Sequence, residues 1–273
     1  MRRARILLVD DNKVNRKLLA AVLEADGYRV EEAGSGREAV EGVRLLSYDL
    51  VLMDVQMPDM DGVEATAAIR SLGGRRADVP IVAISGDIGD DVAERCRAAG
   101  MNDHLGKPVN PETLQRVVAQ WTRRAGEGGQ ASPVAPGVGP GRDETPLGGL
   151  AAHLSGAALL PVIDEFSEGA AARVAQIERE ASGGDLDQVR RIAHDLSGSA
   201  ANLGLTGLSR LARSIEIAAS ESDVATVKRL VAAVPDLLRQ VLADLARTRA
   251  AAAAAGGPSR SAAAGDDIHP GGP

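Results

Sequence analysis

Short runs of consecutive apolar residues alternate with longer amphipathic stretches over the first 124 residues. Residues 6–9, 50–53 and 81–84 are wholly apolar, and four residues are too few for a helix, so these runs are typical of buried strands. Apolar spacing and flanking Gly and Pro predict helices over residues 13–25, 36–46, 62–72, 89–99 and 111–124. This alternation predicts an α/β domain with a parallel sheet in the flavodoxin-like strand order 2-1-3-4-5.

A different pattern follows from residue 125. Residues 125–146 are mostly Gly, Pro, Ala and small polar residues without periodicity, which predicts a flexible linker. From 147 to 249 apolar residues recur at helical spacing and are interrupted by short turn sequences, so we expect four or five helices in an all-α four-helix bundle. The Ala, Gly and Pro tail over 250–273 is expected to be disordered. The predicted domains are therefore 1–124 and 147–249.

Acidic residues follow two of the predicted strands directly. Asp10 and Asp11 come after the first apolar run, and Asp54 follows the run at 50–53. Because the carboxyl ends of parallel strands meet at one edge of a sheet, we expect the three carboxylates to lie close together. Their mutual repulsion calls for a cation, and carboxylate oxygens suit Mg²⁺, which keeps waters and leaves room for a phosphoryl oxygen.

Two further polar side chains are predicted at the same edge. The run 81–84 leads to Ser85, and the segment 102–105 leads to Lys107. A hydroxyl and an ammonium there are suited to hold the oxygens of a phosphoryl group on Asp54. Asp59 and Asp61, close to Gly62, are interpreted instead as turn or cap residues.

Four sequence segments together resemble a response-regulator receiver domain. They are LLVDDNKVNR, MDVQMPDMDG, PIVAISG and NDHLGKPV, within residues 4–124. The resemblance implies Asp54 as the phosphoacceptor, with a cis peptide before Pro108. Its other implied roles are Mg²⁺ ligation by Asp10, Asp11, Asp54 and the Gln56 backbone carbonyl, phosphoryl contacts by Ser85 and Lys107, and switching by Ser85 and His104. Ser85 replaces the commoner Thr and Gly86 the usual Ala; both leave this chemistry possible.

One histidine in the helical half stands out. In DLDQVRRIAHDLSGSAANLG the apolar residues form one stripe at about 100° per residue, and His194 lies on the opposite face. A buried core histidine is thereby excluded, although a plain solvated one is not. Small residues on this face, Ser197 and Gly198, let another protein approach, and Arg190 and Arg191 could steady a phosphoryl group.

The same stretch resembles the phosphohistidine motif of histidine phosphotransfer (HPt) domains, over roughly residues 147–249. The resemblance implies that His194 is the phosphoacceptor and that Gly198 leaves space for a docking partner. The family usually has Lys where this chain has Ser197, so fast transfer requires that Arg190 or Arg191 takes the part of that lysine. The alternative is a degenerate bundle that only binds partners.

Composition excludes several other functions. The formal net charge is −7 and only four aromatic residues occur, so a nucleic-acid surface is not expected. No run of about 18 apolar residues predicts a membrane span. Cys96 is the only cysteine, which excludes an internal disulfide and fits the cytoplasm.

These observations predict a cytoplasmic phosphorelay protein rather than an enzyme, with autodephosphorylation as a possible side reaction. Its expected partners are a sensor histidine kinase, other receiver domains, or both. One rival is an adaptor whose bundle binds partners when Asp54 is phosphorylated. Another is a Mg²⁺-dependent phosphatase with Asp54 as nucleophile, but such enzymes commonly have a second Asp two residues on, where this chain has Gln56.

Overall fold

The computed structural model describes residues 3–86, 89–127, 151, 153–154 and 156–255. The predicted linker therefore lies outside the described residues except for 125–127, and so does the predicted tail beyond residue 255. Within the described residues the chain folds as an α/β half followed by a helical half.

The α/β half is built on a five-stranded parallel sheet. Its strands are β1 (Arg5–Val9), β2 (Arg29–Ala33), β3 (Leu50–Asp54), β4 (Ile81–Ser85) and β5 (Asp103–Gly106), in the order β2-β1-β3-β4-β5. The strand order predicted from the sequence is confirmed. Residues of β1, β3 and β4 are buried because helices cover both faces of the sheet.

Helices of the α/β half begin where the sequence supplies caps. They are α1 (Lys13–Ala25), α2 (Gly36–Leu45), α3 (Gly62–Arg70), α4 (Gly74–Ala77), α5 (Asp90–Ala99) and α6 (Pro111–Glu127). The Asn12 side chain accepts from two backbone N–H groups of α1. Asp61 forms a reciprocal capping box with Glu64 at the start of α3, which agrees with its interpretation as a cap. Helix α6 continues three residues into the predicted linker.

The described residues of the helical half form five helices, which agrees with the four or five that the periodicity predicted. They are α7 (Gly156–Gly183), α8 (Leu186–Asn202), α9 (Thr206–Ser220), α10 (Val224–Val231) and α11 (Val234–Ala255). The expectation of disorder from residue 250 is wrong for residues 250–255, which complete α11. Alanine has the highest helix propensity, so the Ala run extends the helix. A side chain added at Gly156 would meet Ala252 at 3.1 Å, so the end of α11 lies against the start of α7.

The two halves are packed against each other. One continuous apolar core contains residues of β1, β3, α1 and α6 together with residues of α7, α8, α9 and α11. Helix α1 lies between the sheet and the bundle, where Leu18 and Leu19 are fully buried. The sequence predicts two domains joined by a flexible linker, and in the structure these two halves share an interface.

Candidate functional site

Three carboxylates converge at the carboxyl edge of the sheet, as predicted. Val9 of β1 pairs with Met53 of β3, so the residues that follow, Asp10 and Asp54, leave the sheet side by side. Carboxylate oxygens of Asp10, Asp11 and Asp54 lie within 4.8 Å of one another. Asp10 is fully buried and Asp54 nearly so. Oxygen donors at this spacing suit a hard divalent cation such as Mg²⁺.

Lys107 joins two of these carboxylates. Its Nζ donates to Asp10 Oδ2 at 3.0 Å and to Asp54 Oδ2 at 2.6 Å. Burial raises the pKa of Asp54 to about 7, although Lys107 acts in the opposite direction. Burial alone would lower the pKa of Lys107, but Asp54 and Asp10 raise it above its ordinary value. Lys107 is therefore a permanent cation, and the peptide bond between Lys107 and Pro108 is cis, as the resemblance implied.

The other predicted residues of this half surround the carboxylates at different depths. The Gln56 backbone N–H donates to Asp54 Oδ1 at 3.3 Å, while the Gln56 side chain is exposed. Ser85 ends β4 and is buried, and His104 is exposed on the neighbouring β5. Gln56 thus contacts Asp54 directly, Ser85 ends the strand that pairs with β3, and His104 lies on the outer strand.

Gly62 lets the chain pass close behind Asp54. A Cβ at this position would lie 2.2 Å from the Asp54 carbonyl oxygen, so only glycine fits. The Gly62 N–H donates to the Val55 carbonyl at 3.0 Å, which closes the loop that follows β3. In that loop Asp59 has a φ of 65°, a left-handed conformation that Asp tolerates. The turn interpretation of Asp59 thus agrees with the backbone.

His194 lies on α8 and is held by a carboxylate from α9. Its Nδ1 is 3.0 Å from Glu216 Oε1, and Arg213 donates to Glu216 Oε2 at 2.8 Å. The hydrogen bond to Glu216 raises the pKa of His194. Burial acts to raise the pKa of Glu216, but bonds from His194 and Arg213 lower it overall. An ionised carboxylate can only accept, so Nδ1 carries the proton and Nε2 is the ring nitrogen left for chemistry.

His194 and Asp54 line the same cavity between the two halves. Its volume is about 280 Å³, and its wall includes Asp11, Lys107 and Gly86 from the sheet edge. A side chain added at Gly86 would lie 3.5 Å from His194 Cε1. At about 30 Å³ for each water, the cavity has room for a phosphoryl group and several waters.

The cations beside His194 differ from the expected ones. Arg210 and Arg213 of α9 line the cavity, whereas Arg190 and Arg191 are not part of its wall. The expectation that Arg190 or Arg191 faces the phosphoryl site is therefore corrected. They lie one helical turn before His194, and the neighbouring helix α9 supplies the arginines instead.

The small residues Ser197 and Gly198 also line the cavity. The Ser197 hydroxyl donates to the Ser209 carbonyl at 3.2 Å. A Cβ on Gly198 would meet no atom within 4 Å, so Gly198 borders open space beside His194.

Sequence reasoning missed two carboxylates near His194. Glu216 is 22 residues away in sequence and meets His194 only because α8 and α9 pack side by side. Asp195 lines the same cavity as Asp11 of the sheet edge. Burial, and then the negative charge of Asp11, raise the pKa of Asp195 to about 6. Asp195 could have been found because it directly follows the predicted phosphohistidine in the sequence. The sequence held no comparable signal for Glu216.

Two family models match this chain in succession. The model for the response regulator receiver domain matches residues 6–119, and the model for the Hpt domain matches residues 161–250. Among the residues that the structure describes, no helix combines the length and apolar character needed to cross a membrane.

Curated relatives match mainly the first half. The signal transduction histidine-protein kinase BarA of Shigella flexneri is 38% identical over 133 residues, which cover 49% of this chain and 14% of that protein. Hybrid signal transduction histidine kinase B of Dictyostelium discoideum is 44% identical over 120 residues, covering 40% of this chain and 6% of that protein. The chain thus spans a small fraction of these relatives.

Solved structures match the same half. The receiver domain of sensor histidine kinase PA1611 from Pseudomonas aeruginosa PAO1, solved with a magnesium ion in its active site cleft, is 38% identical. The match covers 45% of this chain and 99% of that one, with a TM-score of 0.42.

Proposed function

The chain joins a response regulator receiver domain to an Hpt domain, and we propose that it is a phosphorelay protein in which Asp54 accepts a phosphoryl group and His194 carries or exchanges it. The observation that carries this proposal is that Asp54 and His194, from different domains, line one cavity. Each is held by a charged partner, Lys107 for Asp54 and Glu216 for His194.

The transfer follows from the groups that face each other. An Asp54 carboxylate oxygen attacks the phosphorus atom, a new O–P bond forms, and the N–P bond to the donor imidazole breaks. The bond's electron pair returns to the imidazole nitrogen. When the donor is His194, the proton on Nδ1 stays with the ring against Glu216, so the leaving group is a neutral imidazole. Lys107, together with Arg210 and Arg213, is placed to offset charge on the phosphoryl oxygens.

Mg²⁺ fits the acidic edge of the receiver. The ligands we assign are the carboxylates of Asp10, Asp11 and Asp54, with the backbone carbonyl of Gln56. Their close-set oxygens are the donors that Mg²⁺ prefers. When bound, the ion neutralises negative charge on the carboxylates and on the incoming phosphoryl oxygens.

The remaining receiver residues have supporting roles in this proposal. The Ser85 hydroxyl follows the phosphoryl group on Asp54, and His104 on the outer strand reports its presence. Hydrolysis of the acyl phosphate by water gives slow autodephosphorylation. The expected partners are a sensor histidine kinase, further receiver domains, or both, and the location we propose is the cytoplasm.

Labelling with a small phosphodonor tests the proposal. With acetyl phosphate and Mg²⁺ the chain should gain a base-labile phosphoryl group, detected by intact-mass measurement. Asp54→Asn should abolish the label. Asp59→Asn is a matched control because Asp59 is an exposed acid of the same loop whose left-handed backbone asparagine also adopts. Equal labelling of Asp54→Asn and Asp59→Asn would refute the assignment.

A further inference from the structure

Four small polar residues are buried where the two domains meet. Asn12 and Asn15 belong to the receiver, and Ser199 and Asn202 belong to α8 of the Hpt domain. Their exposed fractions are 5%, 3%, 0% and 1%. Polar side chains are seldom buried to this extent unless each has a hydrogen-bond partner. Their partners therefore show what this surface is built to contact.

The partners lie on the opposite domain. Asn12 Nδ2 donates to Ser199 Oγ at 2.7 Å and to the Asp195 carbonyl at 3.3 Å. Asn202 Nδ2 donates to Asn15 Oδ1 at 3.1 Å. The Asn202 amide oxygen accepts from the Val109 backbone N–H at 3.1 Å. Asn202 thus uses both ends of its side chain across the boundary, which fixes the register of the two domains.

Charged and apolar contacts surround this polar cluster. Lys13 and Lys17 of α1 pair with Glu165 of α7 at 3.0 Å and 2.6 Å. Val14 and Leu18 of α1 are in the same apolar core as Phe166. The interface therefore combines apolar packing, paired charges and satisfied buried hydrogen bonds, as stable interfaces do.

We propose that the α1 face of the receiver is the docking site for the Hpt domain of the same chain, and that this docked form is the resting state. The phosphoryl part of this inference rests on the proposed function. Asp54 then exchanges with His194 within one molecule. A histidine-bearing partner from outside reaches Asp54 only after the chain's own Hpt domain is displaced.

Tethering favours the domain of the same chain over a free competitor. A linked domain has an effective concentration on the order of millimolar when the connection spans the two sites. A partner present at micromolar concentration needs a correspondingly higher intrinsic affinity for the same face. The docked Hpt domain is thus both the phosphoryl partner and a shield of Asp54.

Ser199→Arg opens the interface from the Hpt side. Within the described residues of its own domain, the Ser199 hydroxyl donates to the Asp195 carbonyl one turn earlier, at 2.8 Å, and arginine is a good helix former. In the docked form the longer side chain overlaps Asn12. Ser182→Arg is the matched control: Ser182 makes the same bond to the Glu178 carbonyl at 2.7 Å, but is exposed on α7. Asn15→Arg opens the interface independently from the receiver side.

X-ray scattering of the full chain measures docking without any phosphoryl group. We expect a radius of gyration that is larger by several ångströms in Ser199→Arg and Asn15→Arg, and unchanged in Ser182→Arg. Circular dichroism checks that helix content is kept. If both interface variants keep helix content and the wild-type radius, the docked resting state is refuted.

Transfer between two chains tests shielding. The phosphoryl donor is the double variant Asp54→Asn/Asn15→Arg, which is phosphorylated on His194 with phosphoramidate. Its Hpt face is free because Asn15→Arg opens the interface. Two acceptors are compared. In His194→Gln/Ser199→Arg the receiver is not covered by the chain's own Hpt domain. In His194→Gln/Ser182→Arg the Hpt domain stays docked on the receiver. We expect the opened acceptor to be labelled about tenfold faster or more, since overpacking of this kind commonly disfavours a contact by that factor. Equal rates would overturn the shielding.

Failure of the proposed function gives a different result. In that case neither acceptor gains label from any donor or from acetyl phosphate, while the scattering difference remains. A different outcome would refute the docking inference alone: normal labelling by acetyl phosphate, with equal radii and equal transfer rates for the interface variants and the control.

Discussion

Replacing Glu216 by glutamine tests how His194 is held. The substitution keeps an oxygen that can accept from Nδ1 but removes the charge that raises the pKa of His194. The two side chains are 27% and 13% exposed, so the pair is better shielded than a surface ion pair. Because its burial is intermediate between that of an exposed and that of a buried ion pair, we expect the substitution to lower the free energy of unfolding by about 1 to 2 kcal/mol.

The loss should depend on pH in a defined direction. The raised pKa of His194 contributes stability below its ordinary value of 6.5, and this is lost as the pH rises through the folded value. The lowered pKa of Glu216 contributes stability above its ordinary value of 4.5, and this is lost as the pH falls. The pair therefore contributes most between about pH 4.5 and 6.5.

Thermal unfolding and NMR titration provide the measurement. At pH 6 Glu216→Gln should lower the melting temperature by about 2 to 6 °C, and the difference should shrink at pH 9. The His194 ring resonance, assigned with His194→Gln, should titrate at lower pH in the variant. Glu178→Gln, an exposed acid on α7, is the control. A pH-independent difference, or an unmoved titration, would refute the role of the charge.

Two further substitutions test the acidic edge and the bundle core. Lys107→Met leaves Asp10 and Asp54 without their buried cation, so the free energy of unfolding should fall by about 3 kcal/mol or more. Added Mg²⁺ should restore part of this loss, and an unchanged stability would contradict the pairing. Phe166→Ala leaves a cavity at a fully buried position and should lower the free energy of unfolding by about 3 to 5 kcal/mol. Leu45 is 58% exposed, so Leu45→Ala should lower it by less than about 0.5 kcal/mol. Equal losses would place Phe166 outside the core.

The receiver site could be predicted because its residues follow strand ends. The apolar runs that became β1 and β3 are local signals, and the order of a parallel sheet fixes which ends meet. Strand β2 gave no such run: Arg29 and two glutamates are exposed or half-buried in it because it lies at the edge. Helix α4 has four residues, too few for a periodic pattern.

The interface could not be predicted in the same way. Asn12 and Ser199 are separated by 187 residues, and each is unremarkable locally: Asn12 caps a helix, and Ser199 is one of several small residues on α8. Their burial arises only from the fit between two finished domains. The same holds for Glu216, whose contact with His194 depends on the packing of α9 on α8 rather than on sequence spacing.

The charges around the cavity explain how an acidic site can face another acidic surface. On the receiver side Asp10, Asp11 and Asp54 face Lys107, with Arg16 close to Asp10, whereas on the Hpt side Asp195 and Glu216 line the cavity together with Arg210 and Arg213. Carboxylates thus outnumber cations among these groups on the receiver side but not on the Hpt side, so the receiver edge is the side that suits a divalent cation. Because the acids that line the Hpt side are accompanied by an equal number of arginines, this side can approach the acidic edge without strong repulsion. In the proposed transfer a phosphoryl group on His194 would add negative charge to the Hpt side, and Lys107, with Mg²⁺ when bound, would favour its movement toward Asp54.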